Sequence, residues 1–261
     1  MSESGRLSVR GRDQEGGFGR KQLCGVREIS DALRKGEMPR LLLVIRDTKD
    51  PETLAIVEKA RKLGTMIRYA SANDQRRMCA ERPTEDLLAL IGPDPGADER
   101  TVLRGTGISW LLAGVAYPGN VGFAIRTAEV SGADGIFIDT DLAGRGRHRA
   151  LRASMGANRF FPVHWSAASR VVGMAREEGK RIVAVEDTGT NAPWDHDLTG
   201  SILVAIGGEG CGISAQLQEA CDAVLRIPVA GFVPSYNLHA AMAAIAVERL
   251  RQVGRRAGID V

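Results

Sequence analysis

Aromatic residues are scarce: Phe, Trp and Tyr together make up 5 % of the 261 residues. Any core must therefore rest on Val, Ile, Leu and Ala, for which the 44 % hydrophobic content is ample. Long apolar runs are missing too. Stretches such as Leu41–Ile45 fall far short of the ~18 residues of a membrane span, so no membrane association is expected. The N-terminus is polar and glycine-rich with no apolar h-region, which argues against a signal peptide; residues 1–20 read as a loose tail. Cysteine is limited to Cys24, Cys79, Cys211 and Cys221, with no C-x-x-C pair and no histidine at ligand spacing. They read as buried or incidental thiols in a reducing cytoplasm, and no metal site is expected.

Net charge is small, +3, but unevenly spread. Residues 1–80 hold 17 Lys and Arg against 11 Asp and Glu, a balance of +6; the remainder holds 18 against 21, a balance of −3. The basic third reads either as a polyanion-facing region or as an ordinary solvated surface.

Short apolar runs alternate with amphipathic stretches. In the first part, helices are expected at Val26–Leu33, Pro51–Leu63 and Asn73–Cys79, and strands at Leu41–Ile45, Met66–Ala70 and Leu87–Ile91. Two prolines and two glycines among acidic residues at 92–100 mark a linker. The second part has candidate strands at Trp110–Val115, Gly135–Ile138, Arg181–Val185, Ile202–Ile206 and Val224–Ile227. Candidate helices are Val121–Val130, His148–Met155, Ala167–Glu178 and Ser214–Ala220, with a last long one from Leu238 to Val253. The expected organisation is a tail (1–20), a small α/β unit (21–91), a linker (92–107) and a larger α/β unit (108–261). The larger unit should have a mostly parallel sheet covered on both faces, with ligands beyond the strand C-termini.

Three glycine-marked loops each follow a candidate strand there. In Pro118–Ala128, Asn120 is placed to cap a helix; Arg126, six residues on, reads either as a surface residue or as a phosphate-binding fork. In Ile206–Ser214, glycines permit close backbone approach to a ligand. The spacing is neither G-x-G-x-x-G nor followed by G-K-[ST], which disfavours a dinucleotide site or a P-loop. Glu209 in that turn would repel phosphate or simply sit near a helix start. In Ile227–His239, Ser235 or Asn237 is a candidate N-cap, yet a cap accounts for one polar residue and not for the whole loop.

Taken together, the N-x-x-x-x-x-R-T-A, G-x-E-G and I-P-V-x-G…S-x-N segments resemble, in order and spacing, the three motifs of SpoU methyltransferases of the SPOUT superfamily. The resemblance covers about residues 108–254, and the N-terminal unit is similar to the ribosomal-protein-like substrate-binding domain of many members. It implies a C-terminal deep trefoil knot, a homodimer through the knot region, and S-adenosylmethionine as cofactor. It implies methylation of a ribose 2′-hydroxyl, most readily in ribosomal RNA. The alternatives are a transfer-RNA 2′-O-methyltransferase, a non-catalytic RNA-binding or assembly protein that retains the fold, or another nucleotide-binding α/β enzyme.

Carried over by position, the resemblance makes Asn120, Arg126, Glu209, Ser235 and Asn237 the catalytic set. Gly207, Ile227, Val229, Tyr236 and Leu238 fall where the family holds the cofactor, largely through backbone atoms. Arg145, Arg147 and Arg152 form a basic stretch that reads as an RNA contact or as a solvated loop. Two positions depart from the family's usual Ser-Leu-Asn-Val-Ser: Tyr236 replaces a leucine and His239 a serine. For His239 a packing or substrate-contact role is preferred over that of general base.

Overall fold

Apolar runs of three to six residues, bounded by glycines and polar turns, form most of the strands; amphipathic stretches between them form the helices. The computed structural model describes residues 20–73, 75, 86–208, 210 and 212–258. The chain divides between Asp94 and Pro95 into two units.

The first unit holds strands β1 (Lys21–Cys24), β2 (Leu41–Ile45), β3 (Met66–Ala70) and β4 (Leu87–Ile91), with helices α1 (Gly25–Arg34) and α2 (Pro51–Lys62). Its sheet runs β1-β4-β2-β3; β4 is antiparallel to β1 and β2, and β2 is parallel to β3. Asp50 caps α2 by accepting the Thr53 N–H at 2.8 Å, and Pro51 supplies the preset φ of the first turn. Ile29, Leu42, Val44, Val57 and Ala89 close the core. The helix expected at Asn73–Cys79 falls largely outside the described residues.

The second unit alternates strands with helices, with one exception. Helix α3 (Glu99–Leu103) precedes β5 (Ile108–Ala113), α4 (Pro118–Val130), β6 (Gly135–Asp139), α5 (Gly144–Ala153) and β7 (Val163–Trp165). Then come α6 (Ala168–Glu177), β8 (Arg181–Val185), β9 (Ile202–Gly207), α7 (Ala215–Glu219), β10 (Ala223–Leu225) and α8 (Leu238–Arg256). Strand β8 leads to β9 without an intervening α-helix. All six strands are parallel, in the order β10-β8-β9-β5-β6-β7. Alternate side chains serve two cores. Trp110 and Leu112 of β5 pack with Ile125 of α4 and Met242 and Ile245 of α8, while Leu111 and Ala113 pack with Val171 and Ala175 of α6. Burial on both faces is why these strands read as continuous apolar runs.

Three expectations are corrected. The linker at 92–107 is shorter than its composition suggests, because α3 forms within it and buries Val102 and Leu103 completely. Strands β1 and β7 have no counterpart among the expected strands; each is a short edge strand with no fully buried residue. The basic stretch at 144–149 is helical, since α5 starts at Gly144 rather than His148.

At the N-terminal end of the sheet a cation is buried. Lys180 Nζ donates to the carbonyls of Gly105 (2.8 Å) and Gly107 (2.9 Å) and lies 3.8 Å from Asp134 Oδ2, which itself accepts the Gly107 N–H. Burial pushes the Lys180 ammonium down to about 8. The unfolded chain keeps that proton up to the ordinary lysine value of 10.5. Unfolding above about pH 8 therefore takes up a proton, and stability rises with pH across this window. Denaturant titrations should show this rise, at most about 1.4 kcal/mol per pH unit, and its loss in Lys180→Met.

Candidate active site

The strand order reverses at β5: β6 and β7 lie to one side, and β9, β8 and β10 to the other. The loops leaving β5 and β9 at their C-terminal ends therefore diverge, which opens the crevice where ligands of parallel sheets bind. Backbone packs tightly at this point. Gly208 N–H donates to Ala113 C=O at 2.8 Å. A Cβ on Gly208 would overlap the Gly114 carbonyl, and one on Gly207 would overlap the backbone of Gly212 and Ile213. Gly114 and Gly212 have φ of 70° and 61°, conformations that glycine adopts without strain. Glu209 and Cys211 of this loop lie outside the described residues.

Helix α4 starts from the β5 loop. Pro118 sits in its first turn and Tyr117 is its N-cap, so Asn120 lies inside the first turn and is not the cap. Asn120 is half-buried, whereas Arg126 is exposed farther along the helix. Between them Phe123 meets His239, ring centroids 5.2 Å apart, and sets the start of α8 beside α4. Asn237 is the N-cap of α8, its side-chain oxygen accepting the His239 N–H at 3.3 Å. Of the two cap candidates in the third loop, Asn237 fills the role and Ser235 stays exposed in the preceding segment. Phe123 and His239 thus join α4 to the start of α8, where Asn237 is the cap; Asn120 and Arg126 lie on α4 three residues before and after Phe123. His239 is used for packing against Phe123.

In the third loop, Ile227 packs against the core and Val229 is half-buried. Leu238 is 5 % exposed; its side chain belongs to the core, which leaves its backbone for any ligand. Tyr236 is exposed, as are Phe232 and Val233. Helix α5 packs on α4 where Gly122 admits Ala150 and Ala153 at a separation that forbids a Cβ. Arg145 and Arg152 are exposed on it. Arg147 is partly committed to the fold, since its Nε donates to Leu142 C=O at 2.8 Å and its guanidinium lies 4.9 Å over the Trp165 ring.

A fourth loop reaches the same edge and was not among the sequence candidates. Glu186 follows β8, its N–H donating to Leu225 C=O at 2.9 Å and its carboxylate accepting the Ile213 N–H. Gly189 passes so close to Leu225 and Arg226 that a side chain there is impossible, and Arg226 N–H donates to Asn191 C=O at 2.9 Å. The sequence signal was available: Glu186-Asp-Thr-Gly189 directly follows a strand run, as the other three loops do. Among the described residues no cluster of three or more His, Cys, Asp or Glu side chains is arranged to hold a metal ion.

A family model described as the SpoU rRNA Methylase family matches residues 108–247, more than half of the chain. The chain belongs to the SpoU rRNA methylase family. The matched segment includes all of the candidate catalytic, cofactor and arginine positions. Among individual proteins, this SpoU chain is 26 % identical over 217 residues to the 23S rRNA (guanosine-2′-O-)-methyltransferase RlmB of Photobacterium profundum, covering 81 % of this chain and 89 % of the relative. The SpoU methyltransferase AviRb from Streptomyces viridochromogenes, solved in complex with the cofactor AdoMet, is 25 % identical with a TM-score of 0.55, covering 92 % of each chain. An AdoMet-bound rRNA methyltransferase from Sinorhizobium meliloti shares the fold at 22 % identity and TM-score 0.56, covering 91 % of this chain and 87 % of that one.

The glycine contacts of this SpoU chain predict a sharp contrast. Gly208→Ala forces a Cβ into the Gly114 carbonyl and should cost about 1–3 kcal/mol of stability. Gly173→Ala, in the interior of α6 with open space at its Cβ, should instead be neutral or stabilising by up to ~1 kcal/mol. Chemical denaturation of the two variants measures both.

Proposed function

We propose that this SpoU chain methylates a ribose 2′-hydroxyl of ribosomal RNA with S-adenosylmethionine as cofactor. The observation that carries the reading is the family match over 108–247, which spans the switch-point crevice and all the loops around it. The ribosomal substrate class is supported by the RlmB relative, which is named for its action on 23S rRNA and of whose length 89 % is covered.

The residues present fit an adenosyl cofactor. Gly207 and Gly208 pack directly on Gly212 and Gly114 and so shape the strand end, while the irregular third loop, residues 227–237, offers backbone N–H and C=O groups to a ligand. Those groups can read the edge of an adenine ring while apolar neighbours such as Ile227 cover its face. The cofactor supplies a methyl group on a cationic sulfur. The chain's own contribution is orientation and charge. A 2′-hydroxyl is a poor nucleophile, and holding it at attack distance is worth roughly 7–11 kcal/mol. Arg126, exposed on α4, grips an RNA phosphate and stabilises developing negative charge on the attacking oxygen. Asn237 and Ser235 orient the ribose, and Asn120, with Glu209, holds the arginine. Arg145 and Arg152 supply phosphate contacts on α5, as does the basic N-terminal unit.

The same reading carries three further parts. A trefoil knot at the C-terminal segment is supported by the tight passage of 186–191 against Leu225 and Arg226. A homodimer through this region is supported by the exposed apolar side chains of Tyr117, Phe123, Phe232, Val233 and Tyr236. Cytoplasmic residence follows from a ribosomal substrate; no described helix is long and apolar enough to cross a membrane.

Incubation with radiolabelled S-adenosylmethionine and ribosomal RNA should place label on a ribose 2′-oxygen, mapped as an alkali-resistant linkage; label on a base, or none, rejects the reading. Arg126→Ala should lower the transfer rate by a factor of about 10² or more with cofactor affinity retained in calorimetry. An active Arg126→Ala rejects the role given to that residue.

A further inference from the structure

Glu186 sits where three strand ends meet. Its backbone N–H is bound to Leu225 at the end of β10, and its carboxylate accepts the N–H of Ile213 on the far side of the glycine loop that follows β9. The carboxylate also takes the N–H of its neighbour Asp187. Gly212 lies so close that a Cβ there would touch both carboxylate oxygens. The residue is half-buried, and burial, with the Asp187 carboxylate adding to it, pushes the Glu186 carboxyl above its ordinary value.

The charge environment is unusual for this chain. Glu178 and Glu99 have arginine partners at 2.7 Å, and Asp197 has two within 3.5 Å. Among the described residues no lysine or arginine pairs with Glu186, and the charged group beside it is another carboxylate. A half-buried carboxylate in that setting is destabilised until a cation arrives from outside the chain. Perturbed acids of this kind in a crevice mark functional positions.

We infer that Glu186 forms an acidic wall of the cofactor pocket and selects the cationic cofactor over its uncharged-sulfur product. The inference rests on the cofactor reading above. In the transfer the bond from methyl carbon to sulfur breaks and its electron pair stays on sulfur. A bond from the methyl carbon to the ribose oxygen forms, and the hydroxyl proton passes to solvent. Sulfur loses its charge in that step, so a carboxylate facing it holds the cofactor more tightly than the product and favours product release. The backbone bonds from Ile213 and Asp187 fix the carboxylate without neutralising it.

Calorimetric titration of the full chain with S-adenosylmethionine and, separately, with S-adenosylhomocysteine tests the assignment. Glu186→Gln keeps the size of the side chain and an oxygen to accept the Ile213 N–H, but removes the charge. It should weaken S-adenosylmethionine binding roughly tenfold and change S-adenosylhomocysteine binding by less than about twofold. Glu186→Asp should retain the preference. Retained product binding also reports that the pocket of the Gln variant is folded. If both ligands weaken in parallel, or neither changes, Glu186 is a clamp on the loop and the inference is overturned. If the unaltered chain binds neither nucleoside, the cofactor reading itself fails, a result distinguishable from the failure of Glu186 alone.

Discussion

The side-by-side pairing of β5 with β9 is the constraint on which the catalytic unit depends. These strands are distant in the chain, yet they run in register from Ile108 opposite Ile202 to Ala113 opposite Gly207. Their ends continue into a contact between Gly208 and Gly114 that no larger residue would permit. That contact holds the two diverging loops at one point and gives α4 its origin. On the far side of β9 lie β8 and then β10, all parallel, so the loops that follow them leave from the same edge.

The two ends of the sheet are treated differently. At the N-terminal end, Lys180 is sealed within a set of carbonyls and against Asp134, and Arg249 of α8 donates to the Leu198 carbonyl. The two buried cations there each find carbonyl acceptors within the chain, as burial requires. At the C-terminal end, the glycine loops expose backbone, Glu186 lacks a cationic partner among the described residues, and Arg126 and Ser235 face solvent. Such unmatched polarity is unfavourable in a core and useful in a crevice, because a ligand completes it. One sheet therefore combines a closed, stabilising base with an open, reactive edge.

Particular elements show how far local sequence carries. Strands β5, β8 and β9 were legible because burial on both faces demands unbroken apolar runs. The short edge strands β1 and β7 carry no such run and were missed. Helix α5 was expected late because Gly144 and Gly146 are poor helix formers. It starts at Gly144 and packs on α4 through Ala150 and Ala153, where Gly122 allows close approach. Asn120 has the composition of a cap, yet Pro118 moves the helix start ahead of it. Glu186 carried a legible signal, a polar glycine-bearing turn after a strand, but its role depends on neighbours that the chain order does not reveal.

By itself the sequence determined the fold class, the succession of strands and helices in the larger unit, the three motif loops and the family they resemble. These follow from periodicity, turn chemistry and residue spacing, all of which are local. Only the tertiary structure decided the strand order, the meeting of α4 with α8 through Phe123 and His239, and the convergence of a fourth loop on the crevice. Strand order arises from contacts between residues far apart in the chain, and a pattern read along one dimension holds no record of which distant backbone groups will share a hydrogen bond.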